Sequence, residues 1–278
     1  MFTVLGASEL ISLLLILAVA ASVSGFIAGL LGVGGGIIMV PALYYAFTVM
    51  DFDIATRMHL SLGTSLAIII PTSIMSAKTH MKFNAVDFRL IKSFGIFIVL
   101  GVILGTVLAS NLKTPPLVLF FSFFAFLIGL FFIFFREKVG ENPRPISQTF
   151  KVIIGIGLGF FSVPLGIGAG SLGVPAMRLF GYPIKIAIGT ASGLGFLVAF
   201  FGAMSMSFSG LYFDSVRAPL SLGYVNLPGF LVFVPVTMIV APIGARLVHR
   251  IDKSLLGKIF GFFLIVIALR SFYEYFSF

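Results

Sequence analysis

The chain has 278 residues, 59% of them hydrophobic and only 10% charged, with a mean hydropathy of +1.18. That composition excludes a water-soluble globular protein, and the absence of cysteine excludes disulfides, thiolate metal sites and cysteine catalysis. The net charge of +9 is no sign of nucleic-acid binding, because the basic residues sit in short loops between apolar runs, where membrane topology accounts for them.

Apolar stretches occupy roughly 8–31, 33–50, 60–78, 88–110 and 115–135, then 150–165, 170–182, 186–208, 225–247 and 255–276. Runs of about 20 apolar residues cross a bilayer as helices. Unpaired backbone groups are not tolerated in lipid, and the runs lack the alternation of a β-barrel, so the fold is an all-α polytopic membrane helix bundle. Within the first run, Ala18-Val19-Ala20 resembles a signal-cleavage site, but Glu9 and no basic residue precede it, so the segment is kept as structure. The polar stretch 136–149, with Pro143 and Pro145, is a linker between a first transmembrane repeat (1–135) and a second (150–278), of about five segments each.

The repeat is carried by a motif. Residues 32–41 read Gly32-Val33-Gly34-Gly35-Gly36-Ile37-Ile38-Met39-Val40-Pro41, and 166–175 read Gly166-Ile167-Gly168-Ala169-Gly170-Ser171-Leu172-Gly173-Val174-Pro175. Gly-Phe precedes both copies (Gly25-Phe26, Gly159-Phe160), and Ala42 and Ala176 follow them. Three alternate glycines followed by proline disrupt a helix. The stretch 170–182 is too short for a full crossing, so a broken or re-entrant helix is expected there; in the first half 8–31 is long enough to span outright.

Charge sets an orientation. With the loop 78–92 in the cytoplasm and a reversal at every segment, fourteen basic residues lie inside and four (Arg57, Lys113, Arg217, Arg270) outside. Five segments per half then make the halves inverted repeats, with the linker inside and both termini outside, an arrangement common in secondary transporters.

A helix that starts after a glycine turn presents free N–H donors and the positive end of its dipole, an anion site without a charged side chain. The candidate substrate-binding residues are therefore Gly34, Gly35, Gly36, Gly168, Ala169, Gly170 and Ser171. Gly63-Thr64-Ser65 matches Gly189-Thr190-Ala191, so the Thr64, Ser65 and Thr190 hydroxyls are further candidates; they read equally well as groups bonding their own helix. Arg178, in the short segment, is added to the site. Arg57, His59 and Lys185 are vestibule candidates that draw anions to the mouths, set against simple interfacial placement. Gly25/Gly29 and Gly101/Gly105 read as helix-packing positions. Neither glycine motif carries the Lys-Ser/Thr of a nucleotide loop.

The Gly-x-Gly-Gly-Gly-x4-Pro motif, its degenerate second copy and this length and hydropathy resemble the TauE/SafE sulfite exporter family. The resemblance implies export of sulfite or small organosulfur anions across the bacterial or archaeal cytoplasmic membrane. Ala169 departs from the first copy, where Gly35 stands, and predicts a less open second turn. The near absence of intramembrane acids independently points to an anion rather than a cation or proton as cargo. No catalytic constellation, metal or cofactor site is evident, so the expected function is transport, not enzymology. A passive anion channel filtering through the same glycine turns is the alternative. The expected partners are the small anion and the lipid bilayer.

Overall fold

The computed structural model describes residues 7–32, 34–134, 143, 145–212, 218–247 and 253–276. Most of the linker, and Asp214 and Arg217, lie outside the described residues. Ten helices are described: α1 (Ala7–Leu31), α2 (Gly36–Val49), α3 (Ile54–Met81), α4 (Phe88–Asn111), α5 (Thr114–Phe134), α6 (Gln148–Leu165), α7 (Gly170–Leu179), α8 (Ile184–Tyr212), α9 (Leu227–Leu247) and α10 (Lys253–Tyr275). A two-residue hairpin, β1 (Ser221–Leu222) against β2 (Val225–Asn226), sits between α8 and α9. The protein is a multi-pass membrane protein: seven of these helices are long and apolar enough to cross a bilayer.

Local chemistry sets several starts. Asp53 caps α3 by accepting from the Ala55 N–H at 2.8 Å, and Asp87 caps α4 by accepting from Arg89 and Leu90. Ser147 caps α6, and Pro115 and Pro116 fill the first turn of α5, where a missing N–H costs nothing. The helices match the apolar runs closely, with one correction. α3 begins at Ile54 rather than near residue 60, because the Asp53 cap extends it through Arg57 and His59, which low hydropathy marks as loop.

α2 has 14 residues and α7 has 10. At 1.5 Å per residue they reach about 21 and 15 Å, short of a hydrocarbon core of about 30 Å. Each half thus holds one helix too short to cross, the first half included.

α3 and α8 form the centre. Their apolar windows are 72% and 67% buried, against 28% for α1 and α9. They run antiparallel, since Gly189 packs on His80, Ser76 bonds Ser192 at 3.0 Å, and Gly202 packs on Leu66. Around them α1 runs parallel to α9, with Gly25 on Thr237 and Gly29 on Ala241, and α4 runs parallel to α6, with Gly101 on Ile156 and Gly105 on Phe160. A Cβ at Gly29 or Gly105 would enter the neighbouring backbone carbonyl, so these positions are packing faces, as expected from their spacing. α5 packs on α10 through Gly129 and Gly261. The pairing is repeated between the halves: α1 with α9 corresponds to α6 with α4, α3 with α9 to α8 with α4, and α2 with α3 to α7 with α8.

Candidate functional site

The site begins where α1 ends. Gly32, Gly34 and Gly35 take φ of +66°, +80° and +74°, left-handed values that reverse the chain before α2 starts at Gly36. In the second half one left-handed residue suffices: Gly166, at φ +59°, closes α6. Ala169 takes φ −64°, so a Cβ is accommodated without strain; the second turn differs in path from the first, and the glycine-to-alanine departure follows from that.

The two breaks touch. A Cβ on Gly34 would stand 3.2 Å from the Gly168 Cα, and one on Gly36 would stand 2.8 Å from the Ile167 Cα and strike the Gly166 carbonyl. Their level is the middle of the bundle, because Gly34 abuts Ile69, halfway along α3, and Gly195 of α8 faces Gly168. The breaks before two helix starts therefore meet at one depth, in chain segments 134 residues apart.

No side chain caps either start. In α2 the Gly35 carbonyl accepts from Ile38 and Met39, and in α7 the Ala169 carbonyl accepts from Gly173 at 2.7 Å. The earlier N–H groups of each helix are those that intrahelical bonding leaves over. Beside them Ser171 Oγ, on a residue 1% exposed, has no hydrogen-bond partner among the described residues, and neither has the buried Ser162 Oγ of α6. Two other hydroxyls brace the breaks: Ser65 donates to the Gly166 carbonyl at 2.7 Å and Ser24 to the Gly35 carbonyl at 3.2 Å.

The remaining candidates lie elsewhere. Thr64 Oγ1 accepts from the Asn226 N–H at 2.8 Å, and Thr190 Oγ1 accepts from the Asp87 N–H at 2.9 Å. Asn226 and Asp87 in turn cap the first turns of α9 and α4, so each threonine ties one half to a helix start of the other. Arg178 closes the last turn of α7, donating to the Tyr182 carbonyl at 2.8 Å. It is eight residues, about 12 Å, from the start of α7. Lys185 is exposed in the first turn of α8.

At the opposite end Arg57 donates to the Phe52 carbonyl at 2.6 Å and stands over the Tyr44 ring. His59 is not in an open mouth. It is 4% exposed, its Nε2 bridges the Ala109 and Leu112 carbonyls at 3.1 and 3.0 Å, and its ring stacks on Tyr224. A carbonyl only accepts, so this nitrogen carries the proton. Burial and the Asp87 carboxylate raise the pKa of Tyr182, in the loop before α8, above its ordinary value of 10.0 and keep that phenol neutral.

Ser24 and Ser162 are not sequence candidates. Lone serines in an apolar helix normally bond the carbonyl one turn back, so nothing in their spacing singles them out. The orphaned hydroxyl of Ser162 is visible only in three dimensions.

A family model described as "Sulfite exporter TauE/SafE" matches residues 17–271. The chain belongs to the TauE/SafE family. It is 30% identical to a probable membrane transporter protein of Haemophilus influenzae, over 90% of this chain and 95% of that one. It is 28% identical to the probable membrane transporter protein YunE of Bacillus subtilis, over 93% and 97% of the two chains. A probable membrane transporter protein of Methanocaldococcus jannaschii is 23% identical over 88% of this chain. The TauE/SafE match spans both glycine breaks, all of α2 to α9 and most of α1 and α10, so the central contact lies within the family's shared region.

Proposed function

We propose that this TauE/SafE protein exports sulfite or small sulfonate anions across the cytoplasmic membrane, holding the anion between the starts of α2 and α7. The observation that carries the reading is the meeting, at the middle of the bundle, of the glycine breaks that precede two uncapped helix starts, beside the unpartnered Ser171 hydroxyl. Helix starts favour negative charge through their free N–H groups and dipoles. An oxyanion accepts several hydrogen bonds at once, which suits donors converging from two directions.

The two halves, 1–135 and 150–278, are proposed to be inverted repeats joined by a cytoplasmic linker, 136–149, with both termini outside. The antiparallel crossing of α3 and α8 and the repeated helix pairing support that relation. In this orientation Arg178 and Lys185 lie at the cytoplasmic end and Arg57 at the outer end, where they raise the local anion concentration. Export is downhill in voltage: a departing anion gains about 2.3 kcal/mol per charge per 100 mV of inside-negative potential. A carrier is favoured over a permanently open channel because Gly34 and Gly168 are in contact and buried at the waist.

The test is a flux panel in proteoliposomes with sulfite, sulfate, thiosulfate, taurine and sulfoacetate, under imposed voltage and pH gradients. The proposal expects saturable, voltage-accelerated efflux of sulfite or a sulfonate. Equal flux of all five, without saturation, supports the channel instead.

A further inference from the structure

A cavity of about 820 Å³ opens on the side of the molecule between α1, α2, α5 and α10. Its lining includes Ile38 and Val40 from the first turns of α2, and Val40 also packs on Gly166, but the transport reading uses the backbone there and not this groove. Its volume is in the range of small-molecule sites, about 300–1,000 Å³. The deep part is apolar, with the buried Ile38 and Val40 as its floor, and Val23 and Val19 on its lip are 40% and 65% exposed. Polar groups gather at one end only, in the last turns of α2 and α10: Tyr44, Thr48, Arg270, Ser271 and Glu274.

That end carries both signs of charge. Arg270 is held over the Tyr45 ring, with its guanidinium 5.4 Å from the ring centre, and Arg57 flanks Tyr44 from α3. Glu274 follows Arg270 by four residues on the same helix face. The buried Tyr44 hydroxyl lies between the Arg57 guanidinium and the Glu274 carboxylate and interacts with both. From Phe263 to Glu274 the groove runs along α10 for about 16 Å, close to half of a hydrocarbon core of about 30 Å.

We infer that this groove binds one glycerophospholipid with a primary-amine headgroup. An acyl chain fills the apolar floor, the phosphate accepts from Arg270, and the ammonium donates to Glu274. The length matches one leaflet, and the charges at the polar end complement a zwitterion rather than a simple anion.

The test is native mass spectrometry of the purified full-length protein titrated with phosphatidylethanolamine, phosphatidylcholine and phosphatidylglycerol of identical acyl chains. One equivalent of phosphatidylethanolamine is expected to bind about tenfold more tightly than either competitor, the difference made by one charge-assisted hydrogen bond. Arg270→Ala is expected to weaken retention by a similar factor, and Glu274→Gln to abolish the preference over phosphatidylglycerol. Val19→Trp, a lipid-facing change that fills the groove without touching the polar end, is expected to displace the lipid. Equal binding of the three lipids overturns the inference, as does retention unchanged by either Arg270→Ala or Val19→Trp. A two-chain species free of lipid overturns it too, by placing a second copy in the groove. Sulfite flux in the same samples reads the transport proposal separately.

Discussion

Ser171 presents a hydroxyl that no described protein group satisfies, one residue into the shorter of the two short central helices. Removing it deletes no protein hydrogen bond, so Ser171→Ala is expected to leave thermal stability nearly unchanged. A hydrogen bond to a charged ligand is worth about 1.5–3 kcal/mol, so the same change is expected to weaken apparent anion affinity about ten- to a hundredfold in a flux assay. Ser65→Ala is expected to behave the other way. It strips the Gly166 carbonyl of its buried donor and is expected to cost about 1–3 kcal/mol, read as a lower melting temperature in detergent. The two serines look alike in the sequence, each close to a glycine in an apolar stretch, and only their partners separate them. Thr64 and Thr190, by contrast, play matching roles. Their recurrence marks them as equivalent, and the hydroxyls accept from the capping residues of α9 and α4, a pairing across more than one hundred residues that no local pattern encodes.

At the scale of elements, glycines divide by what faces them. Gly105 of α4 lies so close to the Phe160 carbonyl of α6 that a side chain there must separate the helices. Gly105→Leu is expected to destabilise the protein by about 1–3 kcal/mol or more, seen as lost monodispersity on size-exclusion chromatography. Gly157, in the middle of α6, faces open space: a Cβ there would meet nothing within 4 Å. Gly157→Ala is therefore expected to be neutral or to stabilise by up to about 1 kcal/mol, as helix propensity dictates. Helix existence and length are legible because a membrane segment announces itself by an apolar run. α3 escapes that rule at its start, where Arg57 and His59 belong to a capped turn. The shortness of α7 is legible from Arg178 and Pro183; that of α2 is not, since its apolar run merges with the break before it.

At the scale of the molecule, the proposed orientation rests on the uneven distribution of lysine and arginine. The chain has no cysteine, so single cysteines report sidedness without background. In whole cells Lys113→Cys, at the exposed end between α4 and α5, is expected to react with a membrane-impermeant maleimide. Lys82→Cys, exposed after α3, is expected to react only once the membrane is opened. The reverse pattern contradicts the orientation. The repeat of the glycine motif is legible at a glance, but the contact between its copies is not, because sequence spacing says nothing of where two breaks meet. That contact is the centre of the account: one anion site built jointly by both halves. The most direct measurement is sulfite efflux from proteoliposomes containing wild-type protein, Gly34→Leu or Gly168→Leu, each verified as folded and monodisperse. A joint site predicts that either substitution alone abolishes saturable efflux. Wild-type efflux from either variant contradicts it.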